Sequence, residues 1–251
     1  MSRDHFISMM TTDLPEAPVY FSSDAEINRE GARPLESLSK PKPLSPAEVM
    51  KLARDNSGYI VLDVRSAADF GAGHVPGSLN IGLGGQFAIW AGCLMPLQAP
   101  VVIVAESEEK VEEAVVRLAR VGIEHVLGYL SGGVAEWAKA GYELATVPQI
   151  SVTELNELIG KRTDIQVVDV RRPPEYQNGH APRAVPAPLS TLKQHLENLN
   201  LDPAKTTAVI CAGGYRSSAA TSILQEEGFS DLLNVTGGTN AWVNAGYPVE
   251  S

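Results

Sequence analysis

The chain has 251 residues, with 20 Lys and Arg against 30 Asp and Glu, giving a formal net charge of −10. That balance excludes the basic footprint of a nucleic-acid binder and any attraction to an anionic membrane surface. Two cysteines cannot build a disulfide framework, no run approaches the ~18 apolar residues of a membrane span, and the first residues lack signal-peptide order, so a reduced, cytoplasmic setting is expected.

Residues 1–40 carry scattered charge, little periodicity and Pro15, Pro18 and Pro34. They read as an arm or linker with one short helix near Ala25 to Arg29. From residue 41 the chain repeats itself. Leu44-Ser45-Pro46-Ala47-Glu48 matches Ile150-Ser151-Val152-Thr153-Glu154, and Val61-Leu62-Asp63-Val64-Arg65 matches Val167-Val168-Asp169-Val170-Arg171. Gly73-His74 returns as Gly179-His180, Gly122 as Gly228, and these landmarks keep an offset of 106. Between them, Ala68-Asp69-Phe70 set against Glu175-Tyr176-Gln177 implies a one-residue shift. Near the end the offset becomes 105, where Gly132-Gly133 and Trp137 match Gly237-Gly238 and Trp242. Two copies of one domain are expected, over 41–146 and 147–251.

In the second copy, Gln166 to Asp169, Ala208 to Cys211 and Leu232 to Val235 read as short buried strands. Thr191 to Asn198, Ser217 to Glu227 (stopped by Gly228) and Gly238 to Ala245 read as helices. Short apolar strands alternating with helices define an α/β class with a mostly parallel sheet covered on both faces. Such sheets place ligands beyond the carboxyl ends of their strands, where Cys211 falls.

Cys211 opens the loop Cys211-Ala212-Gly213-Gly214-Tyr215-Arg216, followed by the helix from Ser217. Loop N–H groups, the helix N-terminus and Arg216 should together favour the thiolate and make Cys211 a nucleophile. The first copy has Ala105 at that place, then Glu106-Ser107-Glu108-Glu109-Lys110, with three acids and no glycine, and is expected to be catalytically silent. Asp169, Arg171 and His180 have counterparts in both copies, so their expected work is architectural. Trp137 and Trp242 should be core residues and Cys93 a packing residue. The five histidines, His5, His74, His125, His180 and His195, lack metal-ligand spacing, so no metal and no cofactor are expected.

Taken together, Asp169-Val170-Arg171, Glu175-Tyr176, Gly179-His180-Ala181-Pro182, the Cys211 to Arg216 loop, and Gly237-Gly238 with Trp242 resemble a tandem rhodanese over residues 44–251. The resemblance implies two five-stranded, mostly parallel sheets with helices on both faces, an inactive first domain and an active second one. It also implies sulfur transfer through a Cys211 persulfide, held by residues 212–216 with Ser217 beside them. Leu14 to Phe21 and Asn28-Arg29-Glu30-Gly31 are similar to the segment that follows the metallo-β-lactamase-type persulfide dioxygenase domain in bacterial fusion proteins, so a dioxygenase domain or protein is an expected partner. Vertebrate thiosulfate–cyanide enzymes of the family carry basic residues where this chain has Glu175 and Gly213. That departure turns the expected donor from thiosulfate toward a low-molecular-weight persulfide such as glutathione persulfide, with a thiol, sulfite or cyanide as acceptor. Two alternatives stand beside this reading. One is a cysteine phosphatase or arsenate reductase, although their loops place five residues between Cys and Arg and this one has four. The other is a non-enzymatic sulfur carrier or docking module.

Overall fold

The computed structural model describes residues 1–12, 20–31, 34, 40–54 and 58–251. Leu14 to Val19, on which most of the dioxygenase-linker resemblance rests, lie outside the described residues. Among the described residues of the arm two helices are seen, α1 (Arg3–Thr11) and α2 (Phe21–Glu30). The second extends the helix expected near Ala25, and the first was not expected. Its cap is Ser2, whose hydroxyl accepts the His5 N–H.

The first repeat follows in the order β1 (Lys42–Leu44), α3 (Pro46–Arg54), β2 (Ile60–Asp63), α4 (Ala67–Ala72), β3 (Leu79–Asn80), α5 (Phe87–Leu94), β4 (Val101–Val104), α6 (Glu108–Ala119), β5 (Val126–Leu130) and α7 (Gly133–Lys139). The second runs β6 (Gln149–Ile150), α8 (Val152–Lys161), β7 (Gln166–Asp169), α9 (Pro173–Gln177), β8 (Ala184–Pro186), α10 (Leu192–His195), β9 (Thr207–Ile210), α11 (Tyr215–Glu226), β10 (Leu232–Val235) and α12 (Gly238–Asn244). The helix expected over Thr191 to Asn198 is broken, with α10 flanked by 3₁₀ turns at Leu189–Thr191 and Leu196–Leu199.

Each repeat closes a five-stranded sheet, in the orders β1-β5-β4-β2-β3 and β6-β10-β9-β7-β8, and every strand pair is parallel. The central strands β4 and β9 are buried along their whole length, which is why they read as unbroken apolar runs rather than alternating ones. Pro43 sits on the edge strand β1, where a missing N–H costs no ladder bond. The Ser45/Glu48 and Ser151/Glu154 matches are helix starts: each Glu accepts its serine's N–H at 2.7 Å, and each Ser hydroxyl accepts the Glu N–H.

Trp137 and Trp242 are core residues, and each indole N–H donates to the chain beyond its helix, at Glu143 O and Pro248 O. His74 and His180 bridge antiparallel to Ala145 and Glu250. Their rings stack on Phe70 and Tyr176 at the same 3.7 Å centroid distance. Phe70 is therefore the counterpart of Tyr176, and Asp69 of Glu175. The one-residue shift inferred from the sequence does not exist, and the offset of 106 holds through this segment.

Candidate functional site

Cys211 follows β9 directly and is 1% exposed. The chain then turns through Ala212 and the exposed Gly213 to Gly214, whose φ of 94° lies in the left-handed region that glycine tolerates. That turn aims the Gly214 N–H back at the sulfur, and it donates to Cys211 Sγ at 3.1 Å. Ser217 Oγ lies 3.5 Å from the same sulfur and is buried. Helix α11 starts at Tyr215, two residues earlier than expected, and has neither a side-chain cap nor an acid in its first turn. Its N-terminal partial positive charge is therefore left for the sulfur and whatever the sulfur carries.

The loop's carbonyls are held elsewhere. Thr239 N–H donates to Cys211 O at 2.7 Å, and Asn240 N–H to Ala212 O at 3.1 Å. This close approach explains Gly237-Gly238, because a Cβ at Gly238 would stand 2.1 Å from Cys211 O. With its carbonyls drawn to the start of α12, the loop can present N–H groups to the sulfur side.

Arg216 departs from expectation. Its guanidinium forks onto Glu175, with Nη1 to Oε2 at 2.8 Å and Nη2 to Oε1 at 2.7 Å. The pair is largely shielded, with the Arg216 side chain 14% exposed. The Arg216 bonds hold the Glu175 carboxyl down at about 2, with help from Arg172 N–H. Arg216 is thus not an unshared charge beside the thiol. Its charge is divided with a carboxylate that the sequence marked only as a missing base. The Tyr215 side chain also lies away from the loop: its hydroxyl donates to Gly82 O of the first repeat at 2.7 Å.

Asp169 and Arg171 form a buried fork, with Nη2 to Oδ2 at 2.7 Å, and the same Nη2 donates to Gly179 O at 2.8 Å. Asp63, Arg65 and Gly73 repeat this arrangement in the first copy. His180 Nδ1 faces Tyr176 O at 3.1 Å, a turn contact rather than a contact with Cys211. Cys93 packs against the first repeat's core, and burial pushes its thiol up. Among the described residues no group of three His, Cys, Asp or Glu is placed to hold a metal ion, and no helix is long and apolar enough to cross a membrane.

A cleft of about 520 Å³ lies between the repeats. The first contributes Ser66, Gly82 and Lys110 to it, the second Gly213, Gly214 and Thr236. The sequence did not reveal this cleft, since nothing in one copy's pattern says how it meets the other.

Two parallel α/β units, one with a cysteine at its strand-to-helix junction and one with alanine there, define a duplicated α/β architecture with one thiol-bearing loop. The chain belongs to the rhodanese-like family: the rhodanese-like domain model matches residues 45–140 and 151–245. Curated relatives include a sulfurtransferase of Allochromatium vinosum, 28% identical over 103 residues, covering 41% of this chain and 94% of that protein. Another is the thiosulfate sulfurtransferase GlpE of Pseudoalteromonas translucida, 31% identical over 93 residues, covering 37% of this chain and 86% of that protein. Among solved structures, a rhodanese-like domain protein from Staphylococcus aureus is 30% identical, covers 42% of this chain and 100% of its own, and has a TM-score of 0.37.

Proposed function

We propose that this chain is a sulfurtransferase in which Cys211 takes sulfane sulfur from a low-molecular-weight persulfide in preference to thiosulfate. The first repeat is silent in this reaction. The observation that carries the reading is the uncapped, acid-free start of α11 with Gly214 N–H on Cys211 Sγ. The family and the sulfurtransferase names of its relatives support the reaction class.

In the first half-reaction the Cys211 thiolate attacks the outer sulfur of R–S–SH. A Cys211–sulfur bond forms, the donor's S–S bond breaks, and the thiol R–SH leaves with the electron pair and the proton. The enzyme-bound persulfide anion is held by the loop N–H groups. In the second half-reaction an acceptor, sulfite or a thiol, attacks the outer sulfur and the thiolate of Cys211 leaves. The Arg216–Glu175 fork supports the donor preference, because a dianionic donor finds Arg216 already paired with a carboxylate. Gly213 adds no charge at the exposed turn.

The test is intact mass after brief exposure to glutathione persulfide or to thiosulfate. A gain of one sulfur, about 32 Da, confined to the Cys211 peptide and faster with the persulfide is the expected result. Full turnover in Cys211→Ser overturns the sulfur-transfer reading, and faster loading by thiosulfate overturns the donor preference.

A further inference from the structure

Helix α11 is buried from Ser217 through Leu224, polar residues included. Thr221 satisfies its hydroxyl within the helix, on Ser218 O, but Ser218 and Ser222 would be unusual choices for a helix covering a single apolar sheet. Four of its residues explain the pattern, because Tyr215, Ser218, Ser222 and Gln225 follow the spacing of one helix face and each bonds to the first repeat. Tyr215 hydroxyl donates to Gly82 O at 2.7 Å, and Ser218 Oγ donates to Asn80 Oδ1 at 2.6 Å. Ser222 Oγ accepts the Asn80 N–H at 3.1 Å, and Gln225 Oε1 faces His74 Nε2 at 3.0 Å. Asn80 is itself fixed, its amide donating to Asp63 O and Arg65 O at 3.0 and 3.1 Å. The Tyr215 ring lies so close over Gly85 that a Cβ there would come within 2.5 Å of it.

The first two contacts sit at the turn that delivers Gly214 N–H to the sulfur. We propose that the silent repeat positions the Cys211 loop, with Asn80, Tyr215 and Ser218 as positioning residues that hold the first turn of α11 in register with Sγ. None of the three touches the sulfur. They act through Gly214 and Ser217, which do. The proposal rests on Cys211 being the reactive thiol.

The experiment compares, in the full chain, the double variant Tyr215→Phe/Ser218→Ala with Gln225→Ala. The double variant keeps the phenyl ring over Gly85 and removes both hydroxyls. Gln225→Ala weakens the same interface at the far end of the helix. The readouts are melting temperature, the single-turnover rate of Cys211 persulfidation with its donor dependence, and the pH profile of Cys211 alkylation by iodoacetamide, followed on its own peptide. The charged groups of the site, Arg216, Glu175, Asp169 and Arg171, and those the first repeat brings to the cleft, Glu106 and Lys110, are unchanged in both variants, so a moved profile reports the loop's N–H groups.

The expected result is a pH profile shifted to higher pH and a maximal persulfidation rate about tenfold lower in the double variant, with half-saturation by donor unchanged. In Gln225→Ala only the melting temperature falls. If the double variant fails to fold, Tyr215→Phe alone supplies the same readouts. A profile and a rate within twofold of the parent, whatever the melting temperature, overturn the proposal, as does an equal shift in Gln225→Ala. If the parent itself takes no sulfur from any donor, the sulfur-transfer reading fails, and the alkylation profiles still decide the positioning role.

Discussion

The two strand-to-helix junctions differ more than their shared sheet order suggests. After β4 the chain passes Ala105 and Glu106 to Ser107, whose hydroxyl caps α6 by accepting Lys110 N–H, with Glu108 and Glu109 in the first turn. After β9 it passes Cys211, Ala212 and Gly213 to Gly214, and α11 begins one residue later in the common register. One helical residue has become loop. The N–H groups that Ser107, Glu108 and Glu109 stabilise in the first copy are left to the sulfur in the second. The helices also sit differently. Glu109 and Glu112 of α6 face solvent, whereas the matching positions Tyr215 and Ser218 of α11 bond to the other repeat. A cavity of about 350 Å³ persists beside Ala105, but Asp69, Glu106 and Glu108 line it. The two junctions therefore differ by a cap and three acids as well as by the thiol.

Moving the thiol should break this comparison most sharply. Cys211→Ser should abolish persulfide turnover, by at least about a thousandfold, measured as acceptor-dependent sulfur release. Ala105→Cys in that background should restore none of it, because the Ser107 cap and the acids remain; recovered turnover would show that the junctions differ only in the thiol. Gly238→Ala comes next. Its Cβ would collide with the carbonyls of Cys211 and Ala212 at a φ of 55°, so a loss of roughly 2–4 kcal/mol in denaturant unfolding is expected, with most of the activity.

Much of this contrast was legible in the residues. The duplication, the α/β class and the unequal fate of Cys211 and Ala105 follow from matched landmarks and apolar runs, which report local periodicity and burial. The start of α11 was misread because Tyr215 and Arg216 look like loop residues beside two glycines, and only the Gly214 backbone conformation shows that the turn ends there. The Arg216–Glu175 fork joins residues 41 positions apart in sequence, so no local pattern signals it. The polar stripe of α11 was legible in principle, since Ser218, Ser222 and Gln225 share a face, but its meaning depends on a partner surface that one copy's sequence does not describe.

The donor preference can be sharpened at two positions. Glu175→Gln should leave Arg216 unpaired in charge and raise the rate of Cys211 loading by thiosulfate about tenfold relative to glutathione persulfide, read by intact mass. Gly213→Lys should act the same way with a smaller effect, severalfold, because a side chain there would meet nothing within 4 Å and would point its charge from an exposed turn. An unchanged donor ratio in both variants would separate donor choice from the charge of this loop.

The smallest expected effect is on acid stability, and its sign follows from the same fork. Glu175 is held at about 2 in the folded chain against an ordinary value of 4.5, first by the Arg216 bonds and then with the Arg172 N–H. A depressed carboxyl stabilises the fold above its unfolded value, and that contribution is lost as the pH falls through the folded one. The stability difference between the parent and Glu175→Gln should therefore be constant from pH 5 to 8 and shrink between about 4.5 and 2, measured by urea unfolding at each pH. A difference that stays constant down to about pH 2 would mean that the fork seen at Arg216 does not hold in solution, and the charge argument for donor choice would fall with it.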